Sequence, residues 1–303
     1  PMKALKSFAL VVLLLPYMAF SKRPNIVFIL ADDVNHDAIG CYGGENVATP
    51  NIDRLASEGI QFNRAFSAMA MCAPFRAELY TGLYPVRNGV ASNHTSARPG
   101  TKSVCHYLGD LGYRVGLTGK KHASPAETFP FASLSEGNQK SQKLDWDGMA
   151  RFMSSDDEQP FCLFVCSQNA HAPWTEGDAS QFDASAIKLL PTQHDNPKTR
   201  EVMTHYYAEV SALDAQVGRT LEILEQSGKA DNTLVIFSSE QGWALGFSKW
   251  SNWNMGVHTA FVARWPGHVE AGSETDAMIQ MADVVPTFIE VAGGQANGYG
   301  LDG

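Results

Sequence analysis

Short, uninterrupted apolar runs alternate along the chain with amphipathic stretches, and each apolar run stops at a polar cluster. "PNIVFIL" (24–30) is rich in β-branched residues, as a strand buried on both faces of a parallel sheet would be, and it ends at "ADD". "GYRVGLTG" runs into "KKH", "PFCLFVCS" into "QNAHAPW" and "NTLVIFSS" into "EQG"; "HTAFVARWPG" is a fifth strand-like run. Helical patterns lie between them. Val202, Tyr206, Val210, Leu213, Val217, Leu221 and Leu224 recur at spacings of three and four, and Gly228 is placed to stop that helix. "TPNIDRLASEG" offers Thr49 as N-cap, Pro50 at the first helical position and Gly59 beyond the end. The alternation predicts an α/β fold, a doubly wound, mostly parallel sheet with helices on both faces. Such sheets bind ligands at the carboxyl ends of their strands, and every polar cluster named above falls at one. The polar stretches 92–103, 123–147 and 175–200 read as long loops over the same edge.

A chain of 303 residues with 44% hydrophobic content can bury a sizeable core. The net charge of −9, with no long Lys/Arg run outside the extreme N-terminus, argues against a nucleic-acid binder held by phosphate contacts. It leaves room for an anionic substrate held by a few focused cations. "MKALKSFALVVLLLPYMAFS" has two lysines, an apolar run from Phe8 to Leu15, and small residues Ala19 and Ser21 before a cleavage point. Residues 1–21 are therefore expected to be a secretory signal, and 22–303 one catalytic domain, periplasmic or secreted. The apolar run is too short to span a bilayer, so no membrane span is expected in the mature protein. Five cysteines (Cys41, Cys72, Cys105, Cys162, Cys166) are an odd count for an oxidising compartment. Cys162 and Cys166 share one strand and one face, too far apart for a disulfide, and read as buried filler.

The chemistry-bearing residues sit at the strand ends. Asp32 and Asp33 close the first strand, and Glu240 and Gln241 close a later one. Adjacent carboxylates repel unless a cation sits between them, and oxygen donors without His or Cys favour a hard ion, Ca²⁺ or Mg²⁺. Lys120, His122, His171 and Lys249 bring cations and proton donors to the same rim. With Arg76 they suit an anionic tetrahedral substrate whose leaving oxygen must be protonated, hence hydrolysis of a sulfate or phosphate ester. Cys72, in "MCAPFRAELYTG", reads from its neighbours alone as a redox partner, a nucleophile, a buried filler or a residue that stops being a thiol.

"CAPFRAELYTG" resembles the signature of the type I sulfatases of the alkaline phosphatase superfamily, C-x-P-x-R followed by T-G. "PNIVFILADD", "TPNIDRLASEGIQFNRAF", "LGYRVGLTGKKH", "YYAEVSALDAQVGRTLEILEQSGKADNTLVIFSSEQG" and "FVARWPG" are similar to that family's other blocks, in the same order, across most of residues 24–303. The resemblance implies that Cys72 is oxidised by a formylglycine-generating enzyme to formylglycine. One hydroxyl of the hydrated aldehyde would attack sulfur, and the other would then expel sulfate. It implies Asp32, Asp33, residue 72, Glu240 and Gln241 as metal ligands, and Arg76 as a steadying residue and part of the maturation signal with Pro74. Lys120, His122 and Lys249 would hold the sulfate, and His171 would protonate the leaving oxygen. The implied partner is a sulfated glycan or small molecule.

The chain departs from the pattern at four places. Phe75 stands where serine is common, Glu240 and Gln241 where Asp with Asn or His is usual, and His258 where an arginine is frequent. The family normally continues beyond "GYGLDG" into a small antiparallel subdomain, so a C-terminal truncation is expected. Two rivals remain: a phosphodiester or phosphonate monoester hydrolase of the same superfamily, and an exported, catalytically silent glycan-binding protein.

Overall fold

In the computed structural model the described residues are 22–134, 143–155 and 158–303. The expected signal segment 1–21 lies outside them, as do 135–142 of the expected loop 123–147. The strands are β1 (Asn25–Ala31), β2 (Ile60–Phe66), β3 (Arg114–Gly119), β4 (Ala132–Ser133), β5 (Phe161–Cys166), β6 (Thr233–Ser239), β7 (His258–Thr259), β8 (Phe261–Arg264) and β9 (Ser273–Gln280). The α-helices are α1 (Pro50–Ser57), α2 (Cys72–Thr81), α3 (Pro85–Asn88), α4 (Val104–Asp110), α5 (Trp146–Ser154), α6 (Pro197–Gln226), α7 (Asn254–Val257) and α8 (Val284–Val291).

All nine strands form one sheet, in which β4-β3-β5-β1-β6 is a parallel block. Strand β1 is buried along its whole length, as its unbroken apolar run requires. Its register sets Val27 beside Leu163 and Val235, so residues of like parity share a face. Val27, Ile29, Leu163, Val165, Val235 and Phe237 pack on the side of α1, α5 and α6. Ile26, Phe28, Phe164 and Ile236, with Cys162 and Cys166, pack on the side of α2, α4 and α8. The two cysteines thus fill the core as expected, and all five are free thiols.

Several local features differ from the sequence expectation. "HTAFVARWPG" divides at Ala260 into β7 and β8, and β8 runs antiparallel to both β6 and β2. The loop stretch 123–147 contains β4 and the start of α5, and 175–200 ends inside α6. Thr49 precedes α1, but its side chain makes no capping bond; its Oγ1 accepts from the Gly40 N–H (2.8 Å) and donates to Asp53 (3.1 Å). The free N–H groups of α1 are taken instead by Asp214 of α6, which accepts from Asn51 (3.1 Å) and Ile52 (2.9 Å). Gly228 ends α6 as expected, at φ +69°, a left-handed conformation that costs glycine nothing.

Candidate active site

Parallel strands end together, and short backbone bonds fix how they end. Asp32 N–H donates to Asn169 O (3.0 Å), Glu240 N–H to Ala31 O (3.1 Å), Ser167 N–H to Leu30 O (2.9 Å) and Lys120 N–H to Cys166 O (2.9 Å). The residues that follow β1, β3, β5 and β6 therefore leave the sheet side by side. Cys72 reaches them as the first residue of α2: its Sγ lies 3.6 Å from Asp32 Oδ1 and 3.3 Å from Gln241 Nε2, with 1% of the residue exposed.

One turn along α2, fully buried Arg76 donates through Nη1 to the Lys120 carbonyl and sets Nη2 4.0 Å from Asp32. Its Nε abuts Glu240 Oε1 as an ion contact, but the N–H is not aimed at the oxygen, so both Glu240 oxygens lack an aligned donor. Lys120 Nζ donates to Asp32 Oδ2, and Lys249 Nζ to Asp33 Oδ2 at 2.7 Å. Gln241 Nε2 donates to Asp33 Oδ1, which leaves its buried Oε1 without a partner. His171 Nε2 is 3.8 Å from Asp33 Oδ2, while its Nδ1 lies 2.6 Å from the Ala172 carbonyl. A carbonyl only accepts, so the Nδ1 carries the proton and Nε2 faces the site. The His122 ring packs 5.2 Å from that of His94, with neither of its own nitrogens hydrogen-bonded.

Charge in this cluster is closely balanced. Burial would raise Asp32, but Lys120 and Arg76 outweigh it and hold the carboxyl well below the usual range. Burial, then the neighbouring Asp32, pushes Asp33 up against the pull of Lys249. Burial pushes Glu240 up to about 8 despite Arg76. It would lower Lys120 and Lys249, yet Glu240 and Asp32 raise the first and Asp33 the second. Burial, Lys120 and Arg76 together lower His122 to about 4, so that ring is neutral at pH 7. Burial, then Glu240 and Asp32, push the Cys72 thiol up, and a thiolate is disfavoured.

The donor set fits a hard cation. One ligand atom each from Asp32, Asp33, Cys72 and Glu240 falls within 4.8 Å of the others, all buried. The orphaned acceptors Glu240 Oε1, Glu240 Oε2 and Gln241 Oε1 are oxygens without donors, which a cation would satisfy. The ten residues singled out in the sequence, Asp32, Asp33, Cys72, Arg76, Lys120, His122, His171, Glu240, Gln241 and Lys249, thus converge on one rim. His258 has other neighbours: its ring lies 4.0 Å from that of His36 and 4.9 Å from that of Phe66, and its Nε2 is 3.0 Å from Asn63 O.

Sequence reasoning missed two contributors. Asn169, which anchors Asp32, is fixed by Glu209 and Gln216 of α6, far away in sequence. The loop carrying Lys249 also presents Phe247, Trp250 and Trp253 to solvent, 57%, 66% and 65% exposed. Aromatic residues in a loop read as core filler, and only the fold reveals their orientation.

A family model described as Sulfatase matches residues 24–294. An ulvan-active sulfatase of Formosa agariphila is 37% identical, the alignment covering 91% of this chain and 56% of the relative. An N-acetylglucosamine-6-O-sulfatase of Bacteroides thetaiotaomicron is 24% identical, with 92% and 69% covered. The phosphonate monoester hydrolase of Agrobacterium radiobacter superposes with a TM-score of 0.75 at 21% identity, covering 89% of this chain and 74% of that one, a likeness of fold. The chain thus spans little more than half the length of the first of these relatives. Because the family model runs through every site residue from Asp32 to Lys249, and a relative at 37% identity covers 91% of the sequence, the chain belongs to the sulfatase family.

Proposed function

We propose that this protein is exported and hydrolyses sulfate esters of carbohydrates, with residue 72 as nucleophile after oxidation of its cysteine to formylglycine. The observation that carries the reading is the position of Cys72, buried at the N-terminus of α2 between a carboxylate cluster and two lysines. A helix N-terminus favours negative charge. Three buried carboxylates (Asp32, Asp33, Glu240) face three cations (Arg76, Lys120, Lys249). A divalent cation added to that balance would be offset by the one negative charge of a sulfate monoester together with the one that the deprotonated nucleophile brings.

Asp32, Asp33, Glu240 and Gln241 would hold Ca²⁺ or Mg²⁺ beside residue 72. Bound there, the ion supplies positive charge that eases deprotonation of the nucleophile and stabilises the transferring group. The chain's own residues do the rest. Arg76 fixes Glu240 and the Lys120 backbone, and Lys120 and Lys249 turn from their carboxylates toward sulfate oxygens. The aldehyde of residue 72, hydrated, carries two hydroxyls on one carbon. One, its proton given up to water, attacks sulfur as the bond from sulfur to the sugar oxygen breaks. His171 delivers a proton to that oxygen through Nε2, its Nδ1–H held by Ala172 O. The second hydroxyl then gives its proton to the Nε2 that His171 has just emptied, the carbon–oxygen bond to the sulfate breaks, sulfate departs as the aldehyde re-forms, and water hydrates the aldehyde again.

Cys72, Pro74 and Arg76 are all buried in α2, so a maturation enzyme reading them must meet the chain before it folds. Intact-mass analysis of protein from a maturation-competent host should show residue 72 with one oxygen in place of sulfur and two hydrogens. Sulfate release should track that species. Full turnover by protein carrying only unmodified cysteine would refute the mechanism, and faster cleavage of an aryl phosphonate than of the matched aryl sulfate would overturn the substrate class.

A further inference from the structure

The segment 247–253 puts alternate demands on its side chains. Ser248 is fully buried, with its Oγ 3.2 Å from Asn35 Oδ1 and donating to Met255 O at 2.8 Å. Lys249 is buried, its N–H bonded to Trp243 O (3.1 Å) and its ammonium to Asp33. Phe247, Trp250 and Trp253 point the other way, each more than half exposed. Their exposure is not looseness. The Trp250 N–H is pinned to Ala70 O at 2.8 Å, two residues before Cys72, and the Phe247 and Trp253 rings pack edge to face at 6.5 Å. Phe247 and Trp250 hold φ at +67° and +64°, a conformation that bulky side chains rarely adopt and that clusters at functional sites.

At Trp250 this aromatic patch adjoins the anion site. Lys249 Nζ lies 5.4 Å from the centre of the Trp250 ring, so one residue pair joins the cationic pocket to the apolar rim. A substrate whose sulfate reaches Lys249 and residue 72 has its first carbon one bond beyond the ester oxygen and its ring at most one carbon further, beside the Lys249–Trp250 pair. Beside His171 the rim is mixed: a cavity of about 400 Å³ sets Ser167, Gln168, Asn169 and Glu176 among the apolar Leu144, Trp146 and Pro173. A ligand meeting both walls needs C–H faces for one and hydroxyls for the other. A pyranose ring has both, whereas an alkyl chain has only the first.

We infer that Trp250 and Trp253, with Phe247, form a preorganised platform on which the sugar ring bearing the sulfate stacks, the polar side chains of the cavity beside His171 taking its hydroxyl groups. The inference rests on the sulfatase reading above and names what that site grips beyond the sulfate. Because the Trp250 backbone is already pinned and the Phe247 and Trp253 rings already pack together, stacking on them costs little further ordering, and its effect falls on ground-state binding more than on the chemical step.

Two measurements test it. Kinetics of matured protein on the best substrate from a panel of mono- and disaccharide sulfates are compared with methyl sulfate, which has no ring. Trp250→Ala and Trp253→Ala should each lower the preference for the sugar sulfate about tenfold, mainly through KM, and Trp250→Phe should restore most of it. Independently of turnover, the same sugar sulfate titrated into Cys72→Ala should quench tryptophan fluorescence, and Trp250→Phe should remove most of that signal. Quenching without wild-type turnover would sink the sulfatase reading and leave the platform standing. Turnover with an unchanged preference in both alanine variants would sink the platform alone. So would tryptophans already shielded from acrylamide in the free protein, which would mark the patch as covered by another part of a longer chain.

Discussion

The two sides of the Lys249 loop handle solvent in opposite ways. Inward, Lys249 and its neighbours bury formal charges that would be costly singly and are tolerable only because each meets an opposite partner. Outward, Phe247, Trp250 and Trp253 expose apolar surface that a folded protein would ordinarily hide. Each side departs from the usual distribution of polar and apolar groups, and they meet at one residue pair. On the function proposed above, the contrast separates two tasks: the inner cluster would stabilise charge at residue 72, and the outer one would recognise what carries that charge.

The contrast breaks most sharply at residue 72. Cys72→Ala should keep the fold, since a small buried side chain is replaced by another, while sulfate release falls on the order of 10⁴-fold or more; a steady-state assay with intact-mass control measures both. Next in size is Arg76→Ala, which takes from Asp32 one of the two cations that hold it ionised. Denaturant unfolding should show a loss of about 3–5 kcal/mol, and adding Asp32→Asn should recover part of it by removing that buried charge. An unaltered midpoint in the single variant would show that the inner cluster is not held by charge pairing. Chelation comes third. If the orphaned oxygens of Glu240 and Gln241 are ligands, Ca²⁺ or Mg²⁺ at a hundredfold excess over Kd should stabilise the chelator-treated protein by about 2.7 kcal/mol, and Asp33→Asn should shrink that gain.

How far each side could be read in the sequence follows from the same contrast. The inner cluster was legible because a parallel strand buried on both faces leaves an uninterrupted apolar run, and polar residues just after it have only one place to be. Asp32 and Glu240 come from neighbouring strands, so their convergence followed from the fold class; the roles of Cys72 and Arg76 came from the resemblance. Strands β2 and β9 were not legible. "IQFNRAF" mixes exposed with buried positions, and "SETDAMIQ" lies at the outer side of β2 with no fully buried residue, so neither carries an apolar run. Nor does any local pattern distinguish an exposed tryptophan from a buried one, and Trp243 and Trp250, seven positions apart, end on opposite sides of that divide.

The smallest effect sharpens the inner half of the contrast by moving to titratable groups with weaker compensation, a histidine pair that, among the described residues, Asp37 alone offsets, through His258. His36 and His258 lie ring to ring at 4.0 Å, flanked by Tyr42 and Phe66, without the opposed pairs that surround Asp32. Burial, then the neighbouring His258, lowers His36 from 6.5 to about 4. The folded state therefore keeps it neutral where the unfolded chain would protonate it. The shift costs nothing above pH 6.5 and destabilises the fold increasingly as the pH falls toward 4. At about pH 5 the loss should reach ~2 kcal/mol, read as the difference in pH dependence between the wild type and His36→Asn, which cannot titrate. Carboxylates elsewhere weaken both proteins in acid and cancel in that difference. Parallel stability curves for the two proteins from pH 7 to pH 5 would mean that the paired rings accept a proton without cost, and that compensation by opposite charge is not what distinguishes the inner cluster from its surroundings.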